Sequence, residues 1–318
     1  MIKMKANILK IICFTVILVF LLKVFSYIFS PKNNGENDGG HYIEASGILA
    51  EKENSIDVLI LGNSEALTSI IPMEMWNDYG FTSYVCATVE QTIPEEIYLL
   101  RRALKKQKPK MLILEADNIL MWSKISNFIS SEVEYRLPIV KYHNRWKKLS
   151  KKDFTKKINY DNVRTMKGYY FVKDIQKAEN TNYMVYKNDI SNIPRANKIY
   201  LKLLSKYCKD NQIQLAIVKT PVTSTWNQGN HDEISDFSNS ISVPFLDMNL
   251  LQDEIKIDWA HDSKDGGEHL NHFGALKTTK YLGKYLKSFE ILPDYRNNKN
   301  YQDWTKLYEE YEQIVGKQ

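Results

Sequence analysis

Apolar positions occur along this chain in two patterns. The first is one long block near the N-terminus, Ile8–Phe29, with IICFTVILVFLL at Ile11–Leu22 and VFSYIF following Lys23. As a helix rising about 1.5 Å per residue, the block spans roughly 33 Å, enough for a bilayer's hydrocarbon core. Lys23 lies near one end and can snorkel. A cleaved signal peptide is the rival reading, because the uninterrupted apolar core is short. No small-x-small cleavage site follows, however; the next residues are SPKNNGEND. The expectation is an uncleaved signal anchor. Lys3, Lys5 and Lys10 precede it and should stay cytoplasmic, placing the rest of the chain outside.

The second pattern is a series of short apolar runs separated by amphipathic stretches. Ile56–Leu61 is interrupted only by Asp57 and stops at Gly62. SYVCA at Ser83–Ala87, MLILE at Met111–Glu115, QLAIVKTP from Gln214 and VPFLDM at Val243–Met248 are similar. Such runs read as buried parallel strands. Between them, MEMWNDY lies between Pro72 and Gly80, the punctuation of a helix. Over Pro94–Gln107, Ile97, Leu100, Ala103 and Leu104 share one face, with acids first and bases last. Further helices are predicted over Arg195–Lys209, from Asp232 to Asn239, and over Phe273–Leu286. The alternation predicts an α/β, flavodoxin-like three-layer fold with a parallel sheet of about five strands and right-handed crossovers.

The same pattern divides the chain. Residues 1–30 are the cytoplasmic tip and transmembrane anchor, and 31–54 a linker that opens with PKNNGENDGG. Within it, HYIEASGILAEKENS reads as a short helix or strand at the domain edge. Residues 55–290 are the globular domain, with a basic, aromatic and largely helical insertion at 125–171. Residues 291–318 form an amphipathic tail, in which Trp304, Leu307, Tyr311 and Ile314 should dock on the domain.

Composition narrows the function classes. Hydrophobic residues make up 43% and charged residues 25% of 318, values of a folded globular chain. The net charge of +5 is too small to argue nucleic-acid binding. Cys13, Cys86 and Cys208 lie far apart, which excludes a disulfide framework and a cysteine metal cluster. The histidines lack the spacing of a zinc site, so no metal or cofactor is expected. The basic run Lys147–Lys157 reads as a solvated face that, near a bilayer, could also touch anionic lipid.

Two stretches carry chemistry. Gly62-Asn63-Ser64 ends the first strand, where ligands bind in open α/β sheets. Ser64 there reads either as a nucleophile or as the N-cap of the next helix. DGGEHLNHFGALK, Asp265–Lys277, places His269 after two glycines in a loop leading into the last helix. An imidazole there can take a serine proton and return it to a leaving group. A carboxylate must hold that imidazole, and Asp265 and Glu268 are both near enough.

With these motifs the chain resembles the SGNH (GDSL-like) hydrolase and acyltransferase superfamily over roughly Ile56–Leu286. PMEMWNDYGFTSY, LPIVKYHNRW, KGY and VKTP are similar to a membrane-anchored cell-envelope subgroup. That subgroup is related in arrangement to alginate-type O-acetyltransferases and the teichoic-acid D-alanylation protein. The resemblance implies Ser64 as nucleophile, His269 as general base and acid, and Asp265 as orienting carboxylate. It implies oxyanion donors on the backbone of Ser64 and Ala87, the latter replacing the superfamily's glycine. The superfamily carboxylate usually lies three residues before its His; Asp265 lies four before. Asp265 is preferred over Glu268 because adjacent side chains in an extended loop point apart. The Gly-x-Asn-Asp block is absent, with Glu115-Ala116-Asp117-Asn118 in its region. Gln91 and Asn118 are the candidates for the missing side-chain donor.

Lys219, His143 and Arg145 are candidate substrate-binding residues, weighed against a solvated strand-end lysine and hydrogen bonds within the insertion. Trp226 and His231 could stack on sugar, although burial is the plainer reading; His41, His261 and His272 read as surface residues. The resemblance further implies acyl transfer or ester hydrolysis on a cell-surface polysaccharide or teichoic-type polymer. It also implies a multipass membrane acyltransferase as partner. The rival class is a catalytically degenerate SGNH domain that binds polymer or scaffolds an envelope complex.

Overall fold

The computed structural model describes residues 2–35, 43–187 and 192–317. The apolar block forms one helix, α1 (Ile2–Phe29). Its segment Asn7–Phe29 is long and apolar enough to cross a membrane. From Ile8 to Phe20 its large apolar side chains are exposed; only the last turns meet the rest of the protein. The start of the linker is bound rather than loose: Asn159 N–H donates to the Lys32 carbonyl (2.8 Å), and Asn162 N–H to Asn34 Oδ1 (3.0 Å). The linker's Glu36–Gly40 and His41 lie outside the described residues. The edge segment then forms a helical turn, α2 (Ile43–Ser46), and a 3-10 turn over Gly47–Leu49.

In chain order there follow β1 (Val58–Gly62), α3 (Ser64–Ser69), α4 (Pro72–Tyr79), β2 (Ser83–Ala87), α5 (Ile93–Ala103) and β3 (Met111–Glu115). The insertion region comprises α6 (Asp117–Leu120), α7 (Ile125–Arg136), α8 (Pro138–Tyr142), a 3-10 turn at His143–Lys148 and α9 (Lys151–Thr155). Its helical character stops there; 156–171 is irregular apart from turns. Then come α10 (Arg195–Asp210), β4 (Gln214–Lys219), α11 (Gln228–Ser240), β5 (Phe245–Asp247), α12 (Gln252–Ile255), α13 (His272–Lys287) and α14 (Gln302–Lys317).

The five strands form one parallel sheet in the order β2-β1-β3-β4-β5. This is the flavodoxin-like arrangement. β1 and β3 are both buried throughout, as runs of apolar residues with no polar face require. One sheet face, with Leu59, Leu61, Leu112 and Leu114, packs on Ile97 and Leu100 of α5 and Leu201 and Leu204 of α10. The other, with Val58, Ile60, Met111 and Ile113, packs on Met75 of α4 and Leu282 and Leu286 of α13. β1 leads outward to β2 on one side, and β3 to β4 and β5 on the other. The chain therefore reverses direction across the sheet between β1 and β3, whose carboxyl ends form the crevice where ligands bind in such sheets.

Two helix starts lie upstream of the periodicity because of caps, and α5 ends at Ala103, four residues short of the expected Gln107, in a turn over 104–106. α5 starts at Ile93 through a capping box of Thr92 and Glu95. α11 starts at Gln228, four residues before the predicted Asp232, because Asn227 accepts from Asn230 N–H (3.1 Å). In the tail, Trp304 packs on Trp76 of α4 (ring centroids 5.5 Å) and Tyr311 is buried. Ile314 stays 37% exposed and is not part of that docking face.

Candidate active site

Ser64 is the first residue of α3, directly after β1. The cap belongs to Asn63, whose Oδ1 accepts from Glu65 N–H (2.9 Å). The capping role proposed for Ser64 is thus filled by its neighbour, and the Ser64 hydroxyl is left for another partner. Gly62 makes the turn possible: a Cβ there would lie 2.5 Å from Ala66 Cβ and 2.8 Å from Glu115 Cβ. Any side chain would push α3 off the end of β1.

The second half of the site is the loop before α13. Gly266 and Gly267 have φ of +81° and +102°, values that L side chains rarely adopt. A Cβ on Gly267 would also lie 1.9 Å from Thr223 Oγ1. These two residues fold the loop back so that Asp265 reaches His269 twice. Asp265 Oδ1 accepts from the His269 backbone N–H (2.7 Å), and Oδ2 lies 2.7 Å from His269 Nδ1. His269 Nε2 lies 2.8 Å from Ser64 Oγ. A carboxylate only accepts, so the imidazole proton sits on Nδ1 and Nε2 offers its lone pair to the serine hydroxyl. Burial works to raise the Asp265 carboxyl, but hydrogen bonds from His269 and Lys264 outweigh it and hold the group below its ordinary value. Lys264 Nζ is 3.0 Å from the same carboxylate. Asn271 caps α13 and donates to the His261 carbonyl (2.7 Å), fixing the end of the loop.

Of the two carboxylates open to this role, Asp265 makes the imidazole bond, and Glu268 is exposed. Ligand atoms of Asp265, Glu268 and His269 do lie within 4.8 Å of one another, the spacing of a metal group. Both imidazole nitrogens are already engaged, however, by Asp265 and Ser64. The arrangement suits proton transfer better than metal ligation.

Beside Ser64 lies a polar trio that the sequence reading missed. Lys219, at the end of β4, is fully buried and bonds Glu65; it also lies 3.1 Å from Glu115 Oε1. Thr225 Oγ1 donates to Glu65 (3.2 Å). Burial pushes Glu115 up to about 8 and Lys219 down to about 7. Nearby, Asn63 Nδ2 donates to Asp117 Oδ2 (2.7 Å), and burial raises that carboxyl also. The available signal was topological: β1, β3 and β4 are adjacent, and their ends carry Glu65, Glu115 and Lys219.

The other named residues lie elsewhere. Lys219 is neither a solvated strand-end lysine nor exposed to substrate; it is sealed between two carboxylates. His143 and Arg145 sit in the insertion at the end of α1. His143 Nδ1 is 2.7 Å from the Val140 carbonyl, while Arg145 donates to the Phe29 carbonyl and Asp153. Trp226 is fully buried and donates to Asp247 (2.8 Å), which also bonds His231 (2.9 Å). His272 is buried, not superficial, and His261 is exposed as expected. Gln91 Nε2 donates to the Cys86 carbonyl (3.2 Å), and Asn118 Nδ2 donates to Glu96. Both candidate side-chain donors are therefore engaged with neighbours. Ala87 ends edge strand β2. Val85 N–H donates outward to the Lys167 carbonyl (2.9 Å), and the period of two aims the Ala87 N–H along the same edge.

No protein-family model matches the sequence, and no curated protein does. Among solved structures, a candidate acylhydrolase of Bacteroides fragilis is 9% identical with a TM-score of 0.40, covering 79% of this chain and 97% of its own. A candidate GDSL-like lipase of Parabacteroides merdae is 11% identical with a TM-score of 0.34, covering 75% and 99%. At scores this low the likeness is not evidence of shared chemistry.

Proposed function

We propose that this chain is a membrane-anchored, extracytoplasmic serine acyltransferase or esterase of the SGNH type. The observation that carries the reading is the unbroken line Asp265–His269–Ser64, with contacts of 2.7 and 2.8 Å at the carboxyl end of β1. His269 Nε2 takes the hydroxyl proton as Ser64 Oγ attacks an acyl carbonyl carbon. The oxyanion that forms is received by the backbone N–H of Ser64, since the Ala87 N–H faces the outer edge of β2. Collapse breaks the bond to the leaving group, which departs with the proton from His269, and leaves an ester on Ser64. An acceptor hydroxyl then repeats the sequence in reverse, with His269 again first base and then acid. Asp265 stabilises the imidazolium in both halves.

If the acceptor is a sugar or teichoic-type hydroxyl, the result is transfer; if it is water, hydrolysis. Transfer to a cell-surface glycopolymer, with acyl groups delivered by a multipass membrane acyltransferase, follows from the sequence resemblance. The apolar α1 supports anchoring. The rival, a polymer-binding scaffold, draws on the engaged Gln91 and Asn118 amides.

A fluorophosphonate probe separates the two. The full chain in detergent should label, and Ser64→Ala should not, with unchanged thermal unfolding because only one hydroxyl is lost. Ester turnover should fall on the order of 10⁴-fold or more in that variant. A wild-type chain that takes up no probe would favour the scaffold.

A further inference from the structure

The last turns of α1 do not leave the bilayer side of this protein bare. Ile139 N–H donates to Ser26 Oγ (3.2 Å), Tyr27 OH to the Lys156 carbonyl (3.1 Å), and Arg145 to the Phe29 carbonyl. Residues 138–158 are thereby fixed around the point where α1 ends. This segment holds eight Lys and Arg against one carboxylate, Asp153. Asp153 is buried and already bonded by Arg145 (2.9 Å) and Ser150. Lys147, Lys148, Lys151, Lys152, Lys156 and Lys157 are all exposed. Among them stand exposed apolar groups: Trp146 at 63%, Phe154 at 59% and Val140 at 43%. Exposed aromatics interleaved with lysines are costly in water. They match the boundary between acyl chains and anionic headgroups.

We propose that residues 138–158 are an interfacial collar that docks on an anionic lipid surface, with Trp146 and Phe154 at the acyl boundary. The proposal rests on the reading of α1 as a membrane span. A free anionic polymer would match the lysines, but it would leave the two aromatic side chains without an apolar phase. The collar's place in the fold gives it a consequence. Helix α5 runs from the carboxyl end of β2 back to the start of β3 over 11 residues, about 16 Å. Arg102, near its far end, bonds Tyr160, and Tyr160 bonds the Pro31 carbonyl just after α1. The collar therefore lies at the base of the sheet, and Ser64 at the opposite end. A docked collar turns the mouth of the site away from the bilayer, toward acceptors outside it.

The test uses the full chain reconstituted in vesicles of phosphatidylcholine alone or mixed equally with phosphatidylglycerol. Both mixtures are prepared with brominated acyl chains. The readout is quenching of Trp146, taken as the difference between wild type and Trp146→Phe. Quenching is expected in the anionic vesicles. Changing Lys147, Lys148, Lys151 and Lys152 together to Gln should lower the docked-to-undocked ratio by more than about 100-fold, since each surface lysine is worth roughly fivefold. Salt at about 1 M, where the Debye length is about 3 Å, should act in the same direction. The altered side chains are exposed, and thermal unfolding checks that the variants fold. Failure to float with either vesicle overturns the anchor reading itself. Flotation with Trp146 unquenched in anionic vesicles overturns the collar alone, as does quenching that survives loss of the four lysines. Shielding of Trp146 by soluble poly(glycerol phosphate), with no quenching by lipid, assigns the face to polymer and overturns the lipid proposal.

Discussion

Two polar trios meet at consecutive residues of this protein. Ser64 belongs to one, with His269 and Asp265; Glu65 belongs to the other, with Lys219 and Glu115. The first is half-buried and its members differ in chemistry: hydroxyl, imidazole, carboxylate. A proton can pass between the hydroxyl and the imidazole, while the Asp265 carboxylate stays ionised and holds the ring. The second is fully buried and sets one lysine amine between two carboxyl groups. Burial pushes Glu115 up to about 8 and Lys219 down to about 7, so the environment resists charge on both. The difference separates an arrangement suited to proton transfer from one suited to holding position. The second trio ties α3 to β3 and β4, and so holds the residue after Ser64.

The largest effect should come from breaking the first trio at its carboxylate. Asp265→Asn keeps the size of the side chain but can present an N–H to Nδ1, favouring the wrong tautomer. Ester turnover should drop by about 10⁴-fold. Glu268→Gln, which alters the exposed neighbour, should stay within a few-fold. Turnover of both variants on one synthetic ester checks the pair. Equal losses would mean that the two carboxylates share the role.

Breaking the second trio should cost stability first. Lys219→Met leaves the buried Glu65 carboxylate without its cation, beside a Glu115 carboxyl that burial holds protonated, and should destabilise by about 3–5 kcal/mol. In a domain of this size that is roughly 10 °C in thermal midpoint. Lys219→Met with Glu65→Gln removes that stranded charge and should recover part of the loss. Thermal unfolding of the two variants in detergent is the measurement. A single variant as stable as wild type would mean that the trio carries no net charge pair.

The comparison also explains what could be read in the sequence. β2 and β3 match their apolar runs residue for residue, because every residue of each is buried, even though β2 is the edge strand, so neither has a polar face to blur the pattern. Ser64, His269 and Asp265 were legible because each lies at a position marked by glycine, where the backbone must turn. Lys219 was not, since hydropathy treats a charge at a strand end as solvated. Its partners are 154 and 104 residues away; only the order of strands brings them together. The same holds for His143 and Arg145, which lie beside the end of α1 because the insertion folds back on it.

His272, three residues from His269, sharpens the contrast between an imidazole bonded at both nitrogens and one buried for packing. It is the first residue of α13, and its N–H donates to the Val172 carbonyl (2.7 Å). Its ring lies 5.0 Å from that of Phe171, and Nδ1 is 3.2 Å from Tyr169 OH. Burial, with a smaller push from Lys173, lowers it to about 4 from an ordinary 6.5. The unfolded chain therefore binds the extra proton first as pH falls. The stability due to a neutral His272 is full above about pH 6.5 and is lost as pH falls toward 4, by up to about 3 kcal/mol. Glu115 acts in the opposite sense. With its carboxyl raised to about 8 from 4.5, the folded state holds the proton, and its contribution falls as pH rises through that interval. The two slopes oppose each other between about pH 4.5 and 6.5, so the wild-type profile alone cannot separate them. The difference between wild type and His272→Gln can. Denaturant unfolding of both proteins at pH 7 and pH 4.5 should show the variant losing less stability on acidification. Parallel losses would mean that the His272 proton is taken up equally in the folded and unfolded chains.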